Sequence, residues 1–200
     1  MSSIPTIIFE KLEIFIRKYY SNQLLKGTLL FLAFGLGYLL FTAFVEYFLW
    51  LPTSVRTLLF WLFVVVEVSL FLFLILWPLL KLFKLQKGLD AMESSKIIGA
   101  HFPEVSDKLT NFLQLSQNKQ NSELLLAAIS QKAEKLALVP FVEAIPWKKN
   151  WKYVPWAVLP ILVIASLYWF NQQNLLQDGF NRVVNYQTQY TPPAPYQLLI

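Results

Sequence analysis

Apolar residues fall along this chain in three long blocks, and the polar stretches between them differ sharply in character. Residues 28–51 read TLLFLAFGLGYLLFTAFVEYFLWL, 24 residues with one charge, Glu46. Residues 57–80 form a second such block, again with one charge, Glu67. At ~1.5 Å per residue each block reaches about 36 Å as a helix, enough to cross a ~30 Å hydrocarbon core with some tilt. Only LPTSV and Arg56 separate them, with Pro52, Thr53 and Ser54 as turn and N-cap chemistry, so the pair predicts a tight helical hairpin. A third block, 153–170, is long enough at about 27 Å. Pro155 lies in its first turn, where a missing N–H costs little, and Pro160 lies inside it, where a kink is expected.

The remaining stretches carry shorter patterns. Near the N-terminus Ile8, Leu12, Phe15 and Tyr19 recur at helical spacing, with Glu10, Glu13, Arg17 and Lys18 mainly opposite. Residues 1–27 therefore predict an amphipathic helix, lying on the membrane interface or packed on a neighbouring domain. In residues 81–150 the pattern is helical and shows no strand alternation. Leu82, Phe83 and Leu85 extend the second block until Gly88. Asp90 can cap a short helix through Ile97 and Ile98, and Pro103 can open another with Val105, Leu109, Phe112 and Leu113 inside. Ser122 can cap a third that buries Leu125, Leu126, Ile129, Ala133 and Leu136, and Pro140 stops it. About seventy residues make only a marginal domain alone. Residues 171–200 lose Lys, gain Gln, Asn and Tyr, and end TPPAPYQLLI, which reads as an extended linker leading into further exported domains.

The expected fold class is thus an all-α integral membrane protein. It has a transmembrane hairpin (28–80), a third span (151–170) and a small cytoplasmic helical domain (81–150), with the N-terminal amphipathic helix and an exported tail.

Composition agrees. Hydrophobic residues make up 56% and charged residues 14%, against roughly 25% charge in soluble domains. A signal peptide is a poor reading of the first block, which is too long for an h-region and has no small-residue cleavage site after it. Orientation follows from the basic residues beside the spans. Four precede the first block and eleven Lys lie between the second and third, whereas Arg56 and Arg182 are the only two on the other side. This places the N-terminus and central segment in the cytoplasm and the hairpin tip and tail outside. The net charge of +5 is then explained by anionic lipid, with no need of nucleic acid.

Candidate chemistry is sparse. The absence of Cys excludes disulfides, Cys-ligated zinc, iron–sulfur clusters and thiol catalysis, and a single His leaves no His-rich metal site. No cofactor is implied, and no phosphate-loop, dinucleotide, zincin or serine-elbow motif occurs. Glu67 lies about ten residues into the second block, near mid-bilayer, where an ionisable group is costly and a functional candidate. The alternative is a neutral carboxyl bonded to a backbone carbonyl, Ser69 or Thr42. Glu46 lies nearer the outer end, where it can reach the interface or Arg56. The two carboxylates should differ in depth by roughly 9 Å and not form a dyad. Ala33 and Gly37 form a small-xxx-small pair for packing on the second span or, alternatively, in a homo-oligomer. Lys148, Lys149 and Lys152 read as a lipid-anchoring, stop-transfer group. His101 reads as a helix-end residue.

Two stretches, KIIGAHFPEVSDKLTNFLQL (96–115) and SELLLAAISQKAEKL (122–136), are followed by VPF (139–141). With a hairpin before them and a span after, this arrangement resembles the N-terminal membrane region of a family of large bacterial cell-envelope proteins of unknown function. The resemblance implies a third span followed by a long exported β-rich region, and it carries no catalytic or binding residues. The expected role is a non-enzymatic anchor or scaffold, partnered by the bilayer and by other envelope or membrane proteins. Two rivals stand beside it: a proton- or ion-using membrane subunit with Glu67 in its pathway, and a small adaptor whose cytoplasmic helices hold a soluble partner. The polar inventory is too poor for an enzyme.

Overall fold

A computed structural model of the chain describes residues 4–117 and 123–191. Among these residues the protein is all-helical, without a strand. The helices are α1 (Ile4–Leu49), α2 (Thr53–Phe71), α3 (Trp77–Leu82), α4 (Ala91–His101), α5 (Pro103–Gln117), α6 (Glu123–Ala137), α7 (Val154–Trp169) and α8 (Asn174–Val184). A π-helical segment, Leu72–Leu76, joins α2 to α3, and two 3₁₀ segments, Phe141–Ala144 and Trp147–Tyr153, precede α7. Three stretches are long and apolar enough to cross a membrane: Thr6–Leu49, Thr53–Leu82 and Phe141–Trp169. The Ser122 cap, the side chains of Leu125 and Leu126, and the proline-rich end at 192–200 lie outside the described residues.

The chain divides into two compact units, Met1–Leu25 with Trp77–Lys149 and Lys26–Leu76 with Asn150–Ile200. In the first unit, Ile8, Leu12 and Phe15 of α1 are buried with Ile98 of α4, Val105, Leu109, Phe112 and Leu113 of α5, and Ile129, Ala133 and Leu136 of α6. Phe141, Ala144 and Ile145 complete this core. Of the two settings open to the N-terminal amphipathic face, the structure has the packed one, because these three side chains contribute to a closed core. The helix also does not end at 27. No proline or turn interrupts residues 6–49, so the amphipathic stretch and the first apolar block are one helix.

Local chemistry explains the ends of the helices. Asp90 and Glu93 form a reciprocal capping box at the start of α4, with Glu93 N–H donating to Asp90 Oδ1 at 2.7 Å and Asp90 N–H to Glu93 Oε2 at 3.1 Å. The helix expected to run on to Gly88 stops at Leu82 instead. Lys84 takes a left-handed φ of 58°. Leu85 N–H then reaches Leu80 O at 2.9 Å and Lys84 N–H reaches Lys81 O at 3.2 Å, a Schellman closure without glycine. Lys11 Nζ donates to the carbonyls of Ala137 and Val139, closing the end of α6.

The second unit is built differently. α1 turns into α2 through Trp50 (φ 47°), whose N–H bonds Glu46 O at 3.2 Å. Pro52, not Thr53 or Ser54, occupies the N-cap position of α2 and supplies no side-chain cap. Close approach is carried by glycine. A Cβ at Gly27 would overlap the Leu74 carbonyl in the π segment, and one at Gly179 would overlap the Ala43 carbonyl. The tail is not wholly extended. After Asn171 (φ 54°) reverses the chain, α8 follows, with Gly179, Arg182 and Val183 buried. Phe180 meets Phe63 edge-on at 6.4 Å, and Tyr186 stacks on Phe60 at 4.7 Å.

Candidate functional site

The most built polar constellation lies at the hairpin tip, in the second unit. Glu46 and Arg56 are both fully buried, at 0% exposure. Arg56 Nε donates to Glu46 Oε1 at 2.9 Å, and Nη2 lies 2.8 Å from the same oxygen. Nη2 also donates to Leu51 O at 2.8 Å and Nη1 to Thr188 O at 2.7 Å. The guanidinium lies 4.9 Å from the Tyr190 ring centroid. One side chain thus ties together the end of α1, the turn and the segment after α8. A planar fork with five donors suits this, where the point charge of a lysine would not.

Arg182, on α8, supplies the second cation. Its guanidinium lies 3.5 Å from the Trp50 ring centroid and 5.7 Å from that of Tyr47. Trp50 thus accepts a left-handed backbone, which costs an L-residue roughly 1–2 kcal/mol, while its ring holds the tail's arginine by a cation–π contact. Arg182 Nη1, Glu46 Oε2 and Thr42 Oγ1 are buried without a hydrogen-bond partner among the described residues. Of the two options for Glu46, the structure has the one with Arg56.

Glu67 is set elsewhere. Its Oε2 lies 3.0 Å from where a Gly35 Cβ would stand, and its Oε1 has no partner among the described residues. It bonds neither Ser69 nor Thr42. Gly35 and Glu46 are eleven residues apart on α1, so the two carboxylates are separated by about 16 Å of helix rise rather than 9. No dyad forms. A methyl group added at Gly37 would meet nothing within 4 Å, whereas Gly27 and Gly35 face α2 and the π segment. Within the chain the small-residue seam against α2 and the π segment is therefore Gly27–Gly35, and Gly37 takes no part in it.

The remaining candidates are peripheral. Lys148, Lys149 and Lys152 are exposed on the 3₁₀ segment before α7, with Lys152 Nζ 5.0 Å from the Tyr153 ring centroid. His101 ends α4 and packs against Phe102 at 4.7 Å. Among the described residues no group of three or more His, Cys, Asp or Glu side chains is placed to hold a metal. In the first unit Lys84 pairs with Glu13 and holds its carboxyl below the usual range. Tyr20 accepts the Leu89 N–H at 2.8 Å, and burial pushes its phenol up.

Arg182 entered the sequence reading only as a counted charge, and Arg56 as a counted charge and one of two options for Glu46. The signal that could have marked them lies in the same count. The basic residues on the Lys-rich side are fourteen Lys and one Arg, while both on the poor side are Arg. A cation kept where cations are scarce, and of the type suited to buried forks, is a candidate for a paired role. No family model, curated protein or solved structure matches the chain.

Proposed function

We propose that this chain is a non-enzymatic membrane anchor that holds a helical domain on the cytoplasmic face of a bacterial inner membrane and presents its tail on the other. The Arg56 clasp carries this reading. Glu46, the Leu51 carbonyl and the Thr188 carbonyl converge on one buried guanidinium, so the chain leaving α8 is fastened to the hairpin tip. A fastened exit suits a mount for whatever lies beyond it. The asymmetry of basic residues supports the orientation.

The absence of Cys makes the test clean. Single cysteines at Asp178 and Lys108 are probed with a membrane-impermeant maleimide in intact cells. Asp178→Cys should label at once and Lys108→Cys only after permeabilisation. The opposite pattern would sink the orientation and with it the anchor.

A second reading, an ion- or proton-using subunit, is favoured by one observation: Glu67 Oε1 is buried without a hydrogen-bond partner among the described residues, while Oε2 stands against Gly35. It requires Glu67→Gln to abolish function in cells while membrane levels of the protein hold. Wild-type behaviour of both Glu67→Gln and Glu67→Leu would remove it.

A further inference from the structure

In the first unit a cleft of about 670 Å³ opens between the early turns of α1 and the end of α3. A second of about 430 Å³ adjoins it, sharing Glu13, Tyr20, Lys81 and Lys84 and extending along residues 85–89. Arg17, Lys81 and Lys84 line the first together with Glu10 and Glu13. The pair between Lys84 and Glu13 cancels one charge of each sign. Arg17 and Lys81 remain against Glu10, and Lys87 adds a further cation in the adjoining cleft. Arg17 has no side-chain hydrogen bond or ion pair among the described residues, and Lys81 Nζ stands only over the Trp77 ring, at 5.4 Å. The Schellman closure has already satisfied the carbonyls at this end of α3, so neither cation is occupied in capping it.

The walls are apolar where the charges stop. Ile14 is 57% exposed and Phe83 65%, and both line the cleft. Lys81 is the first charge after Glu67 in the apolar stretch Thr53–Leu82. The cleft therefore begins where that stretch ends, the level at which basic side chains meet lipid headgroups.

We propose that this cleft binds an anionic phospholipid, its phosphate held by Arg17 and Lys81 and its upper acyl chains against Ile14 and Phe83. A guanidinium offers the phosphate two parallel N–H donors, and the lysine adds a point charge. Glu10 opposes the anion and keeps the site from being a general anion trap. The site rests on the membrane-spanning reading, and that reading is tested separately. The full chain should float with vesicles of phosphatidylcholine alone and resist carbonate extraction. Failure there would overturn both.

The site is then read by native mass spectrometry of the full chain with phosphatidylglycerol or phosphatidylcholine added in equal amounts. Phosphatidylglycerol should be retained preferentially. Arg17→Gln and Lys81→Gln should each reduce its retention about fivefold, the scale of one interfacial charge, and Glu10→Gln should increase it. Unchanged helicity of each variant by circular dichroism guards against misfolding. The charge-matched controls, Lys96→Gln and Lys108→Gln made singly on exposed positions of α4 and α5, should leave retention intact. Equal retention of the two lipids by the wild-type chain, or equal loss in the controls, would overturn the proposal.

Discussion

The two units bury opposite kinds of residue. In the first, most of what is inside is large and apolar: Phe15, Phe112, Phe141, Leu109 and Ile98 are all nearly inaccessible, and the buried polar groups beside them, Ser94 and Ser95, carry no charge. In the second, the buried apolar residues are few and mostly small, Leu40, Ala43, Ala157 and Val183, while Thr42, Glu46, Arg56 and Arg182 are buried beside them. Its large side chains point outward, with Phe73, Leu58, Leu162 and Trp156 all more than half exposed. In water this would be an inverted protein. A helix surrounded by lipid gains nothing by hiding a leucine from it, so contacts are made where backbones approach closely and where polar groups find each other. The first unit thus has the burial pattern of a core closed against water, and the second the pattern expected of helices long and apolar enough to cross a membrane.

The largest expected effect breaks the comparison in both directions. Phe112→Ala should cost about 3–5 kcal/mol, the usual range for an aromatic removed from a closed core. Glu46→Leu should cost a similar 3–5 kcal/mol, because it strands Arg56 without its counter-charge. The double variant Glu46→Leu/Arg56→Leu should recover most of that loss, since two apolar residues replace a desolvated pair. Thermal unfolding in detergent, with hydrogen exchange read separately over α4–α5 and over α8, checks all three. Failure of the double variant to recover would mean that the Leu51 and Thr188 carbonyls depend on the guanidinium more than on neutrality.

A smaller effect sharpens the second unit alone. Gly27→Val and Gly179→Val place side-chain atoms on the Leu74 and Ala43 carbonyls, and overpacking of this kind costs about 1–3 kcal/mol. Gly37→Val is the control, since nothing lies within 4 Å of its first added carbon, and it should change stability by less than about 0.5 kcal/mol. Equal damage from all three, by thermal unfolding in the same detergent, would sink the Gly27–Gly35 seam and return attention to Ala33–Gly37.

The same division governs what could be read from the chain. The core of the first unit was legible almost residue by residue, because burial from water leaves a helical period in the sequence: Val105, Leu109, Phe112 and Leu113 were expected inside and are. The three apolar stretches were legible from length and composition. Within them periodicity is lost, since both faces are apolar, and the choice between Gly35 and Gly37 depends on helix rotation that no pattern records. α8 was missed although Leu176, Phe180 and Val183 recur at helical spacing, because the prolines after it coloured the whole tail as a linker. The clasp was half legible. Glu46 and Arg56 are neighbours across a turn, whereas Arg182 and Thr188 arrive from more than a hundred residues away and leave no local mark.

The smallest test asks whether the first unit depends on local signals as a water-soluble domain does. Asp90→Ala removes the side-chain acceptor for the Glu93 N–H and leaves only the bond from the backbone N–H of residue 90 to the Glu93 carboxylate. Loss of such a cap costs about 1 kcal/mol. α4 contributes Ile98 to the core, so the loss should appear as faster exchange along α4 and a modest fall in the unfolding midpoint. Exchange over α8 should not move, because its backbone is held by the Gly179 approach and the Arg182 contact with Trp50, neither of which involves a capping side chain. If α8 loosens as much as α4, the two units unfold together, and the contrast between them describes composition without describing stability.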